Sequence, residues 1–392
     1  MSFASAEFGD KSRLRALLDH FSVIEDPRET WRVAHPLPEV LLLLVCGTMA
    51  DCDDFDAVAD WGKAHLAFLR RYLPYHHGVP GGRWLNLLMN RINPALFSAA
   101  FTAWVRETWP QAPDLVAIDG KTSRRSHDRK LDKGALHLVS AFASASRLVL
   151  GQEAVDGKSN ELSAIPVLLE RLAESGGLKG ALVSIDAIAT NAKIAQAILD
   201  ADADYLLAVK ANQPTLRAEI ESAFEIAGPA ALDRCVDVDK GHGRIEQRTV
   251  TVMKEGKDVD WLGGDRRFPG EFRLPRVKCV IRVESRAELA DRSRFETRYY
   301  IASAALAAER AAAAVRAHWG IENQLHWVLD VDFGEDMSRL RKGHGATNMA
   351  IVRHFAINLV RAVNDKRTLK LRRKAAGWSP DYLAQMLGAT LR

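Results

Sequence analysis

Between residues 111 and 210, apolar runs of strand length alternate with helical stretches, and two of those runs stop abruptly on an aspartate. "QAPDLVAIDG" (111–120) breaks off at Asp119 and Gly120, and "GALVSIDA" (180–187) breaks off at Asp186. A short, fully apolar run bounded by polar residues and glycine is the mark of a buried central strand. "LHLVSAFAS" (136–144), "RLVLGQEAV" (147–155) and "DYLLAVK" (204–210) read as further strands, with helices over about 162–175 and 191–201. The order is three strands, helix, strand, helix, strand, which predicts an α/β layer with a mixed sheet. If the first and fourth strands are neighbours, Asp119 and Asp186 emerge at one edge.

The flanking segments have a different texture. Residues 1–110 read as a helical N-terminal domain, with apolar spacing through 13–22, 38–50, 55–72 and 95–108 and breaks at "DPRET", "HPLP" and "HHGVPGGR". Residues 111–236 hold the first part of the α/β core. From 237 to 302 the pattern turns to β, in "GRIEQRTVTVM", "RVKCVIRVE" and "ETRYYIAS", and predicts a β-rich insertion forming a separate lobe. Helices return over 303–392, the second part of the core, which ends in the basic stretch "DKRTLKLRRKAAGW". That stretch reads equally as a DNA-touching tail and as a solvated charge run.

The 392 residues suffice for two or three domains, and 47% hydrophobic with 27% charged residues is a soluble globular composition. A net charge of +4 is compatible with a nucleic-acid partner without requiring one. Cys46, Cys52, Cys235 and Cys279 show no CxxC spacing and are expected as reduced thiols in a cytoplasmic protein. "VLLLLVCGTMA" (40–50) is too short to span a bilayer and predicts a buried helix, so no membrane partner is expected.

"AHWGIENQLHWVLDVDFGED" (317–336) carries the third acid of interest. Turned as an α-helix, Val315, Trp319, Ile321, Leu325, Val328 and Leu329 share an arc, and Glu322 interrupts it, flanked by His318 and His326. A carboxylate there needs a partner. Three readings follow: an ion pair sealing a helix interface, a His–x₃–Glu–x₃–His zinc site, or a carboxylate ligand acting with Asp119 and Asp186. The zinc order departs from HExxH. Three carboxylates on one edge repel unless cations lie between them, and oxygen ligands suit Mg²⁺ or Mn²⁺. Glu335 and Asp336 read as a solvated helix end or, alternatively, as acids that support the metal ligands from behind.

With these acids in place the chain resembles the bacterial insertion-sequence transposases of the DDE type, in the branch containing the H-repeat-associated proteins. The resemblance rests on "DPRETWRVAHPLPEVLLLLV", "AIDGKTSRRSHD", "SNELSAIPVLLERL", "VSIDA", "YLLAVKANQPTL", "GHGRIEQR", "RYYIAS" and "HWGIENQLHWVLDVDFGED", spread over about residues 20–363. It implies an RNase H-like mixed-sheet core in which a β-rich insertion separates the second Asp from the Glu. Asp119, Asp186 and Glu322 are then the catalytic triad holding two Mg²⁺ ions, with Mn²⁺ as a substitute. The implied activity is cleavage and strand transfer at element terminal inverted repeats and target DNA, by a homodimer in a synaptic complex. A stand-alone nuclease and a non-catalytic DNA-binding remnant are the alternatives. The departures are local: "DAIATN" replaces a Cys–Gln pair that often follows the second Asp, His318 stands where the wider clan often has Arg, and Leu329 stands near a usual Lys.

Lys121, Arg124 and Arg125 follow Asp119 directly and are expected to meet DNA phosphates. Lys210, with Asn212 and Gln213, closes the fifth strand on the same edge. Arg244 and Arg248 share one strand face, and His318 neighbours Glu322. All are candidate DNA contacts.

Overall fold

A computed structural model describes residues 12–128, 133–155, 161–241, 244–254, 257–263, 273–288 and 293–389. The apolar N-terminal sequence folds as α1 (Arg13–Ser22), α2 (Leu37–Met49), α3 (Phe55–Ala64), α4 (Leu66–Leu69), α5 (Gly82–Met89) and α6 (Pro94–Thr108). Strands β1 (Leu115–Ser123), β2 (Leu136–Ala143) and β3 (Leu148–Ala154) follow, then α7 (Glu161–Glu174), β4 (Leu182–Ile185), α8 (Ala192–Asp200), β5 (Asp204–Val209) and α9 (Pro214–Ile226). Next come β6 (Leu232–Gly241), β7 (Arg244–Lys254), α10 (Lys257–Asp260), β8 (Cys279–Glu288) and β9 (Ser293–Ala302). The chain closes with α11 (Ala308–His318), α12 (Trp327–Val331), α13 (Gly345–Arg361), α14 (Leu369–Trp378) and α15 (Pro380–Leu387).

The first five strands lie in the order β3-β2-β1-β4-β5. β2 runs antiparallel to both neighbours, whereas β1, β4 and β5 are mutually parallel. This is an RNase H-like mixed sheet. Strand alternation divides its faces. Val116, Ile118, Val183, Ile185 and Leu207 pack under α7, α8 and α9, while Leu115, Leu182, Leu206 and Ala208 pack under the alanines of α11.

The β-rich insertion is not a separate lobe. β9 pairs antiparallel with β5, Leu206 opposite Ala302 through Val209 opposite Tyr299, and β8, β7 and β6 continue outward, making one nine-stranded sheet. The physical reason is the apolar alternation of "RYYIAS": Tyr299 and Ile301 join one face of the core, and Tyr300 and Ala302 join the other. An unpaired β5 edge would otherwise expose its backbone groups.

The segment 303–392 also divides differently from expectation. α13, α14 and α15 pack with α1, α2 and α6 in one helical body built from both ends of the sequence. α13 is buried on nearly every side, the pattern of a central helix. Its Asn358 exchanges two hydrogen bonds with the Val149 backbone, at 2.9 and 3.0 Å, and Ser98 on α6 donates to the Gln152 carbonyl at 3.0 Å. Those contacts dock the helical body on β3. The basic stretch before the C-terminus is folded as well. Arg373 is fully buried over the Phe333 ring, donates to the Thr48 carbonyl and lies 3.0 Å from Asp51 and 3.2 Å from Asp53. Arg372 and Arg367 hold Asp365. "VLLLLVCGTMA" is the buried α2, and among the described residues no helix is long and apolar enough to cross a membrane.

Candidate active site

β1 and β4 pair in register from Leu115–Leu182 to Ile118–Ile185, so Asp119 and Asp186 stand one residue beyond the last pair on adjacent strands, about 4.8 Å apart in the strand-to-strand direction. By alternation both acids share the face covered by α11. The helix continuing from α11 crosses this face. Over Glu322–His326 its hydrogen bonding widens from the α to the π pattern, with the Trp327 N–H donating to the Glu322 carbonyl. The extra residue in that turn leaves Glu322 exposed while Ile321, Leu325, Val328 and Leu329 stay buried in the helical body. π turns of this kind are frequent at functional sites.

Electrostatics tie the acids together. Burial pushes the Asp119 carboxyl up to about 7, the Gly120 N–H opposes this, and the charges of Glu161, Glu322 and Asp186 raise it further. Burial also acts to raise Asp186, but a 2.8 Å bond from Lys210, the Ala187 N–H and the charges of Lys210 and His318 outweigh it and hold that carboxyl below its ordinary value. His326 lies 3.6 Å from Asp119 through Nδ1. Burial, then the Lys121 ammonium, lowers it to about 4, so its imidazole is neutral at neutral pH.

Two residues of this neighbourhood were not singled out from sequence. Glu161 opens α7 on the other face of β1, and His137 bridges it to Thr122, with 2.7 Å contacts on each ring nitrogen. Gly120 makes room for them, since a Cβ there would lie 2.2 Å from Glu161 Oε1 and 2.5 Å from His137 Nε2. An acid in the first turn of the helix after the third strand was the available signal.

The cationic candidates separate. Lys121 does not reach outward: its ammonium is largely buried, 2.6 Å from Asp330 and 2.9 Å from Glu335, with Asp336 at 3.8 Å. Alternation puts Lys121 on the face of Asp119, against the turn that follows α12. Glu335 is likewise no solvated helix end, being buried between Lys121 and Arg353. His318 is drawn inward to Ser184 at 2.9 Å, and burial lowers its pKa. Arg124 is exposed, 3.4 Å from Asp336, and the half-buried Arg125 accepts through its carbonyl from Arg341. Lys210 is exposed beside Asp186. Arg248 pairs with Glu246 at 2.5 Å. The Arg244 side chain lies outside the described residues.

The donor set suits a hard divalent cation. Asp119, Asp186 and Glu322 offer only oxygen, and the Asp119 pKa, raised first by burial and then by the charges of Glu161, Glu322 and Asp186, marks a place where a cation would favour the ionised form. Among the described residues no three His, Cys, Asp or Glu side chains stand close enough to hold an ion as they are. Asp186 is held by Lys210 at 2.8 Å.

Residues 18–105 match the family described as DDE_Tnp_1-associated, and residues 110–359 match the Transposase DDE domain. The "H repeat-associated putative transposase YhhI" of Escherichia coli K12 is 36% identical over 388 residues, covering 96% of this chain and 99% of that protein. The "Putative transposase YncI" of E. coli O157:H7 is 35% identical over 385 residues, covering 96% and 95%. Among solved structures, a piggyBac transposase synaptic complex with hairpin DNA has a TM-score of 0.44 at 11% identity, covering 98% of this chain and 84% of that one, a likeness too loose to argue from.

Proposed function

The chain belongs to the Transposase DDE domain family, and on that premise we propose that it cuts and rejoins DNA at the ends of a mobile element, with Asp119, Asp186 and Glu322 as the catalytic acids. The observation that carries this reading is the register of β1 and β4, which sets two acids side by side on the face crossed by the Glu322 helix. The proposed setting is a homodimer on terminal inverted repeats and target DNA in the cytoplasm.

The three carboxylates would hold Mg²⁺ or Mn²⁺, which when bound supplies an acidified water and neutralises charge on the phosphoryl and leaving oxygens. Asp119, whose carboxyl feels the charges of both Glu322 and Asp186, would be one of the residues holding the metal. Its elevated pKa makes proton loss from Asp119 part of assembling the site. Lys210, once freed from Asp186, can turn to a phosphate. Neutral His326 adds no competing positive charge beside Asp119. In hydrolysis the water oxygen bonds to phosphorus as the bond to the 3′-oxygen breaks, giving a 5′-phosphate and a 3′-hydroxyl. In joining, that 3′-hydroxyl attacks a target phosphate and displaces the target's own 3′-oxygen. No enzyme nucleophile is required. Arg124, Arg125 and Lys210 would be the cations that meet the DNA near the acids, with Arg248 farther along the sheet.

Asp119→Asn, Asp186→Asn and Glu322→Gln should each fold and bind duplex DNA yet neither cleave nor join it in Mg²⁺. A gel assay scoring nicked and joined products checks this. Near-parental cleavage by the Glu322→Gln protein would remove Glu322 from the site and return it to a helix-surface role.

A further inference from the structure

We propose that the loop 339–342, clamped to the exit of β1, is a phosphate-backbone rest for the DNA flanking the cut. The inference rests on the DNA-cutting reading above and assigns a surface outside the residues named there.

β1 runs on past the end of β4, from Asp119 to Ser123, with only β2 beside it. After the buried Glu335, the chain doubles back against this projecting hairpin. Arg341 Nε donates to the Arg125 carbonyl at 3.2 Å, and Lys133 Nζ donates to the carbonyls of Arg341 and Gly343 at 3.3 and 3.1 Å. On the other side, the His344 N–H donates to the Asn90 carbonyl at 3.2 Å. Gly343 packs there with φ +50°, where a Cβ would lie 2.5 Å from the Asn90 oxygen. The loop is therefore fixed between the hairpin and the helical body.

This fixing opens a cleft of about 640 Å³, lined by Asn86, His127, Asp128, Arg339, Arg341 and Lys342 among others. The side chains of Arg339, Arg341 and Lys342 are exposed, and among the described residues none of them forms an ion pair with an acid. Asp128 lies in the cleft, while nearby Asp336 is engaged by Lys121 and Arg124. Three exposed cations within four consecutive positions line one cleft, a charge density that suits a row of phosphates. From Asp119 to Ser123 the strand covers roughly 13 Å, about four base pairs of duplex rise. A duplex cut at Asp119 would lay its neighbouring phosphates along this cleft.

The test uses the full chain with Arg339→Ala, Arg341→Ala and Lys342→Ala combined, and a fluorescent duplex oligonucleotide titrated at several salt concentrations. Losing three phosphate contacts should lower the slope of log affinity against log salt by between about two and three units, at about 0.9 per contact. Because Arg341 also braces the loop, Arg339→Glu with Lys342→Glu is the second variant, and it should weaken binding further at low salt. Thermal stability of that pair should match the parent. Unchanged affinity and slope in both variants would overturn the proposal, as would tighter binding of the parent to anionic vesicles than to the duplex. Failure of the cleft reading leaves cleavage by the parent and its loss in Asp119→Asn intact, whereas failure of the cutting reading appears in the Asp119→Asn protein itself.

Discussion

Asp119 is a carboxyl whose surroundings favour its neutral form. Folded, it titrates at about 7, against an ordinary value near 4. A raised acid pKa means the folded state binds the proton more tightly than the unfolded chain. The contribution is favourable at low pH and is lost as pH climbs from about 4 through 7. In EDTA, the parent should lose stability across that window by at most about 1.4 kcal/mol per pH unit from this group. Asp119→Asn should flatten that part of the profile, and Mn²⁺ should restore the parent but not the mutant. Thermal melts from pH 4 to 8 decide it, and identical profiles for the two proteins would refute the assignment. Glu161→Gln tests the neighbour that sequence reading passed over: it should lower the Asp119 pKa, moving the stability loss to lower pH. The acids ending β1 and β4 were legible in sequence because a buried strand that stops on an Asp is a local signal. The burial of Lys121 was not, because its partners Asp330 and Glu335 lie more than two hundred residues away along the chain and meet it only through the fold.

At the scale of elements, the turn around Glu322 and the helix α14 show opposite limits of periodicity. A 3.6-residue wheel places Glu322 inside an apolar stripe, whereas the π turn inserts a residue and turns it outward. No residue type in "ENQLH" announces that widening. The first five strands were legible from their apolar runs. The joining of β9 to β5 was not, since strand pairing over such a separation leaves no local trace. In α14 the run of cations looks like a solvated face, yet Arg373 is the peg joining it to the end of α2 and the turn after α12. Arg373→Met should destabilise the protein by about 1–3 kcal/mol, the range for leaving a buried acceptor such as the Thr48 carbonyl without its donor. Lys374→Met, one residue along, should change little. Chemical denaturation of both variants measures the contrast, and equal stability would show that Arg373 is only a surface cation.

Across the whole molecule, the sheet is held between α7, α8 and α9 on one face and α11 with the helical body on the other. The body depends on α13, α14 and α15 filling a core begun by α1, α2 and α6. Roughly 300 residues separate the end of α2 from the start of α13. During synthesis at about 5–20 residues per second, α2 therefore waits roughly 15–60 s for the helix that buries it. Through that interval its leucines are a target for chaperones and for self-association. The Asn358 clasp on β3 cannot close until α13 leaves the ribosome. The docked arrangement of body and sheet is thus reached only after α13 has been made, and a chain broken before α13 should aggregate rather than form a smaller working protein.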